Sequence, residues 1–112
     1  DPKDEFAQKV KESKEACIKD TNVKPDMAEK AMDGEFADDK DLKCFIKCMF
    51  VKFGYMTDAG DLNVDFMKEH PRPGDDKTKS SAAIDKCKSP AGSDACEKAY
   101  NFAKCAHPEL KA

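Results

Sequence analysis

Six cysteines in a chain of 112 residues constrain this sequence more than any other feature. An even number of cysteines, scattered along a short chain, reads as three disulfides formed in an oxidising compartment. The competing reading, reduced thiols buried in a cytosolic protein, gives no reason for their even spread between helical segments. Composition shows why staples matter. Hydrophobic residues make up 39% of the chain and charged residues 38%, against a charged share of roughly 25% in ordinary domains. A chain of this length is expected to form one domain over residues 1–112, which would bury only about two-thirds of its surface.

Several functional classes drop out early. The chain opens Asp1-Pro2-Lys3-Asp4 with no basic start and apolar run behind it, so the expectation is a secreted protein in its mature form. No apolar stretch approaches the roughly 20 residues that span a bilayer, and stable membrane insertion is not expected. The net charge of −3, with basic and acidic residues interleaved, argues against nucleic acid as a partner. Asn-x-Ser/Thr does not occur, so N-glycosylation is not expected. Two histidines, no Gly-x-Ser-x-Gly elbow and no Cys–His pair leave nucleophilic catalysis without machinery. A helical phospholipase would need a histidine beside its cysteine pair. Asp38-Asp39 and Asp75-Asp76 do not match a calcium loop and read as cap and loop charges. Zinc at Cys44 and Cys48 would lack further ligands nearby. The chain is therefore read as a non-enzyme with no cofactor and no metal.

Helical periodicity dominates and no alternating strand stands out. A first helix from about Pro2 to Asp20 takes Asp1 as its cap and places Phe6, Val10 and Cys17 on one face. A second runs from Pro25 to Gly34 with Met27, Ala28, Ala31 and Met32 as its apolar stripe. The third, roughly Asp39 to Tyr55, is apolar on two sides. Leu42, Phe45, Ile46, Met49, Phe53 and Met56 share one face, while Cys44, Cys48, Val51 and Tyr55 share the other. A helix apolar on two sides must be buried on two sides, one against a stapled scaffold and one as a cavity wall. Asp61 is expected to cap a short fourth helix bearing Leu62, Val64, Phe66 and Met67. The breakers of Pro71 to Asp76 form a loop. A fifth helix covers about Lys77 to Lys88 with Ala83, Ile84 and Cys87 inward. Ser93 or Asp94 caps the sixth, with Glu97 completing a capping box, and Pro108 is expected to stop it after His107.

Geometry limits the cysteine pairing without settling it. Cys44 and Cys48 lie four apart on one helix, with Cβ atoms about 5–6 Å apart, beyond the roughly 3.5–4.5 Å of a disulfide. Cys96 and Cys105 point to opposite sides of another helix, about 13 Å apart along its axis. These exclusions leave ten of the fifteen connectivities open to six cysteines.

The spacing Cys17-x26-Cys44-x3-Cys48-x38-Cys87-x8-Cys96-x8-Cys105 resembles the six-cysteine signature of insect odorant-binding proteins. That resemblance implies an all-α fold of about six helices around an internal hydrophobic cavity. It further implies the pairing Cys17–Cys48, Cys44–Cys96 and Cys87–Cys105, in which the bond at Cys105 lays the fifth helix over the polar side of the sixth. The function implied is an extracellular carrier that solubilises odorants, pheromones or long-chain fatty acids. A chemosensory receptor is the candidate partner, and the protein would be a monomer or weak dimer. The alternative is a secreted helical protein acting through a protein partner, as a salivary or signalling antagonist. A saposin-like lipid-extracting protein fits poorly, because its cysteines lie close to both termini.

The candidate ligand-binding residues are Val10, Phe45, Met49, Phe53, Met56, Ile84, Tyr100, Phe102 and Ala103. Each alone could be ordinary core. Together with five Met, seven Phe and no Trp, they describe a deformable apolar interior. Three polar features each carry a structural reading beside a functional one. The Tyr100 hydroxyl bonds either a ligand or a backbone carbonyl. The sole arginine, Arg72, is solvated or reaches a carboxylate head group. His70 and His107, each before a proline, are helix-end imidazoles or a pH-sensitive latch. The segment after Cys105 is too short for an inserted helix, but Leu110 is expected to pack inward over the opening.

Overall fold

The computed structural model describes residues 2–111, and side chains for 3–110. Asp1, the expected cap of the first helix, lies outside the described residues. Six helices follow in order among them: α1 (Pro2–Thr21), α2 (Pro25–Met32), α3 (Lys40–Lys52), α4 (Val64–Glu69), α5 (Lys77–Cys87) and α6 (Ala95–Lys111). The starts follow local chemistry. Asp39 accepts from the Leu42 amide at 2.9 Å, and Asp76 accepts from the Thr78 and Lys79 amides at 2.8 and 3.2 Å, each satisfying otherwise orphaned first-turn donors. At α6, Asp94 accepts from the Glu97 amide at 2.9 Å. Glu97 reaches back to the Ser93 amide at 3.2 Å, so the capping box forms with its return bond one residue earlier than the standard pattern.

Helix α3 packs between α1 and α6, and α5 lies along α6. The three disulfides follow this framework: Cys17–Cys48 joins α1 to α3, Cys44–Cys96 joins α3 to α6, and Cys87–Cys105 joins α5 to α6. The buried residues fall into two clusters. The larger gathers Cys17, Val23, Ala28, Leu42, Phe45, Ile46, Met49, Met56, Ala99 and Tyr100 with others. The smaller holds Met67, Ile84, Cys87, Phe102 and Ala106. Phe50 and Leu62 pack against both, which marks a seam.

Three expected boundaries move. Helix α3 ends at Lys52, not Tyr55, because Gly54 at φ +79° reverses the chain. The Gly54 amide donates to Val51 O at 3.0 Å and the Tyr55 amide to Phe50 O at 2.9 Å. This is a Schellman motif, and the Phe50 and Tyr55 rings close its apolar contact at 6.3 Å. Asp61 does not cap α4. Its carbonyl accepts from the Thr57 amide at 2.8 Å, within a tight loop where Met56 and Leu62 form an isolated antiparallel bridge. Leu62 therefore precedes α4, and Asn63 stands at its start. Finally, α6 continues through Pro108 to Lys111. A proline inside a helix removes one backbone bond and crowds the preceding turn, at about 3 kcal/mol. Contacts beyond the helix hold the last turn: Leu110 against the interior and the His107 ring edge-on to Phe36 at 6.0 Å, with the exposed Lys86–Glu109 ion pair adding little.

Candidate ligand cavity

The seam between the two clusters is hollow. A cavity of about 220 Å³ is lined from every helix: Phe6 and Val10 of α1, Ala31 and Met32 of α2, Phe45, Ile46, Met49 and Phe50 of α3, Met67 of α4, Ser80, Ala83 and Ile84 of α5, and Phe102, Ala103, Ala106, His107 and Leu110 of α6. Phe36, Phe53 and Tyr55 contribute from the connections. The void persists because its walls are held from behind. Cys44 and Cys48 tie the back of α3 to α6 and α1, and Cys87–Cys105 ties α5 to α6. Collapse of the walls would have to bend those staples. On the wall Phe6 of α1 stacks on Phe53 with ring centroids 5.8 Å apart.

The mouth lies between α2, the loop after α4 and the end of α6. His70, Pro71, Arg72 and Asp75 line it from the loop. A shallower hollow lined by Met32, Asp33, Arg72, His107 and Leu110 continues from there towards the surface, and Met32 is 41% exposed. The breaker-rich loop is a built element. The Asp75 amide donates to Arg72 O at 3.0 Å, and Gly74 has φ +92° behind Pro73, as a type II turn requires. The turn brings its first and last side chains together: Arg72 Nε donates to Asp75 Oδ2 at 2.7 Å.

Of the nine residues named from sequence, Val10, Phe45, Met49, Phe53, Ile84, Phe102 and Ala103 stand on the wall, and Met56 and Tyr100 do not. Met56 was placed on the cavity face by extending α3. The turn at Gly54 breaks that phase, and Met56 is instead buried in the larger cluster. The same break carries Tyr55 from the stapled face to the cavity. Tyr100 takes its structural role: its hydroxyl donates to Phe36 O at 3.1 Å, and its ring meets Phe36 edge-on. Phe50, Phe36, Tyr55 and Ser80 were missed. Phe50 was readable, since it follows Ile46 by one helical turn. Tyr55 was readable from Gly54, a standard residue just past a helix end. Leu110 packs inward as expected.

One polar feature of the wall stands out. Burial raises the Tyr55 phenol above its ordinary value, against the pull of Arg72 and with the push of Asp75. The ring is surrounded by Phe50, Phe53 and Phe66, at centroid distances of 6.3, 5.7 and 6.2 Å. Tyr55 thus places a phenol beside Arg72 and Asp75 on the wall of an apolar chamber.

A stapled helical shell around a chamber of this kind defines a carrier for small apolar molecules. The chain matches the PBP/GOBP family across residues 1–109 and belongs to it, the pheromone- and general odorant-binding proteins. It is 31% identical over 96 residues to general odorant-binding protein 99a of Drosophila melanogaster, covering 82% of this chain and 68% of that protein. Among solved structures it is similar to odorant-binding protein lmigOBP1 of Locusta migratoria, at 30% identity and a TM-score of 0.79, covering 89% of this chain and 77% of that one. It is also similar to the fatty acid binding protein OBP56a from the oral disk of the blowfly Phormia regina. There the identity is 30% and the TM-score 0.76, with coverage of 96% and 93%. No helix among the described residues is long and apolar enough to cross a membrane.

Proposed function

We propose that this chain is a secreted, non-enzymatic carrier that takes one small hydrophobic molecule into the seam cavity and shields it from water during diffusion. The observation that carries the reading is the apolar chamber itself, walled by Val10, Phe45, Met49, Phe53, Ile84, Phe102 and Ala103 in a member of an odorant-binding family. Burial supplies the driving force, about 0.8 kcal/mol per methylene, less the cost of association. A volume of about 220 Å³ favours ligands of roughly 10 carbons over fully extended chains of about 18. Delivery to a chemosensory receptor, as a monomer or weak dimer, is the route this reading implies.

The test is displacement of a fluorescent naphthylamine from the oxidised, delipidated protein by fatty acids, alcohols, esters and volatile aromatics. Micromolar displacement by one class is the expected result. Failure to take up any probe, with all three disulfides intact, would turn attention to a protein partner.

A further inference from the structure

The cavity has one polar end, and its chemistry is specific. Tyr55, Arg72 and Asp75 meet there, all three on the lining, and their charges act on one another. Among the described residues the Tyr55 hydroxyl donates to no protein acceptor, whereas the Tyr100 hydroxyl is spent on Phe36 O. A phenol is protonated at neutral pH and burial shifts this one further upward, so Tyr55 offers a hydrogen-bond donor on the lining. Tyr55 is only partly buried, so water serves its hydroxyl when the chamber is empty, and a ligand that displaces that water must supply an acceptor oxygen in its place.

Arg72 would ordinarily mark a carboxylate site. Here its guanidinium is already engaged: Nε lies 2.7 Å from Asp75 Oδ2, and a terminal nitrogen lies 3.4 Å from Oδ1. The type II turn places both residues together. An incoming carboxylate would meet the Asp75 charge beside the arginine, and Asp33 lines the outer hollow as well. With Arg72 neutralised, the mouth offers no net attraction for an anion.

We infer that the polar end selects a neutral ligand bearing an acceptor oxygen, an alcohol or a carbonyl compound, which the Tyr55 hydroxyl holds, while the Arg72–Asp75 pair disfavours carboxylates. The inference rests on the carrier reading and names its ligand class. The source of discrimination is local to this chain, because it needs both a tyrosine just past Gly54 and an aspartate three residues after the arginine.

The experiment is naphthylamine competition by a matched nonyl set: nonanol, nonanal, nonanoate and nonene. It is run at one pH throughout, pH 8. Tyr55→Phe should weaken nonanol and nonanal by roughly 3- to 10-fold, the worth of one net hydrogen bond, and leave nonene within about 2-fold. Asp75→Asn frees the guanidinium and should strengthen nonanoate by about 5-fold or more, with nonanol and nonene little changed. Unchanged nonene binding is the internal check that each variant is folded. Wild-type protein that binds nonanoate as tightly as nonanol would overturn the inference. So would loss of alcohol binding in Ser80→Ala but not in Tyr55→Phe. Uptake of the naphthylamine with no discrimination among the four overturns this inference alone, whereas no uptake of any probe overturns the carrier reading with it.

Discussion

Around α1, α2 and the buried side of α3, side chains fill the interior: Cys17, Ala28, Leu42 and Ala99 are fully buried, and Phe45 and Met56 nearly so. Two disulfides closing 31 and 52 residues anchor that region. Around α4 and α5 the picture changes. The buried set there is small, α4 has six residues with a half-exposed Phe66, and one disulfide closing 18 residues holds α5 to α6. The two regions share α6 and meet along Phe50 and Leu62. Their difference explains the void. The first region is rigid enough to present a fixed wall, and the second is too lean in apolar side chains to fill the space in front of it. A cavity arises where a complete core faces an incomplete one and staples prevent their collapse.

The largest effect should come from the staples. In the chain-entropy account, removing Cys44–Cys96 by paired Cys→Ser substitution costs about 4 kcal/mol, and removing Cys87–Cys105 about 3 kcal/mol. Denaturant midpoints test the order, and probe affinity should fall further for the second pair, because it frees a cavity wall. Reversal of either ranking would break the comparison. Next in size, Leu42→Ala deletes a side chain enclosed on all sides and should destabilise by about 3 kcal/mol with ligand affinity nearly unchanged. Ile84→Ala removes atoms that already face the void. It should destabilise by about 2 kcal/mol, the low end for such a change, while shifting preference towards longer ligands. Equal losses from the two would mean that the seam is packed as tightly as the core.

The smallest effect concerns the surface link between α4 and α5. The Lys68 ammonium donates to Asp85 at 2.6 Å and holds its carboxyl below the usual range. A carboxyl lowered on folding stabilises the native state above its unfolded value, and that contribution is lost as pH falls through its folded one. Asp85 is exposed, so screening keeps the effect slight. Asp85→Asn should therefore flatten the acid limb of a stability–pH curve by an amount near the detection limit. A large change would show that α4 and α5 depend on charge more than on the Cys87–Cys105 staple.

Much of the molecule was legible in one dimension because its determinants are local. Asp39, Asp76 and Asp94 cap the helices they precede, since a cap needs only the next three residues. The two-sided apolar pattern of α3 announced burial on both faces, and the family signature carried the disulfide pairing that geometry had left open. Other features depended on partners distant in sequence. Pro108 stops an isolated helix, yet α6 runs past it because Phe36 and the cavity wall hold its last turn. Sequence put Tyr55 on the stapled face and Tyr100 on the cavity; the turn at Gly54 carries Tyr55 to the wall, and Phe36 O takes the Tyr100 hydroxyl. Periodicity and spacing act through the backbone's own geometry, so they determined which helices form. The size of the void and the chemistry of its polar end depend on how side chains from every helix meet, and only the tertiary structure decides that.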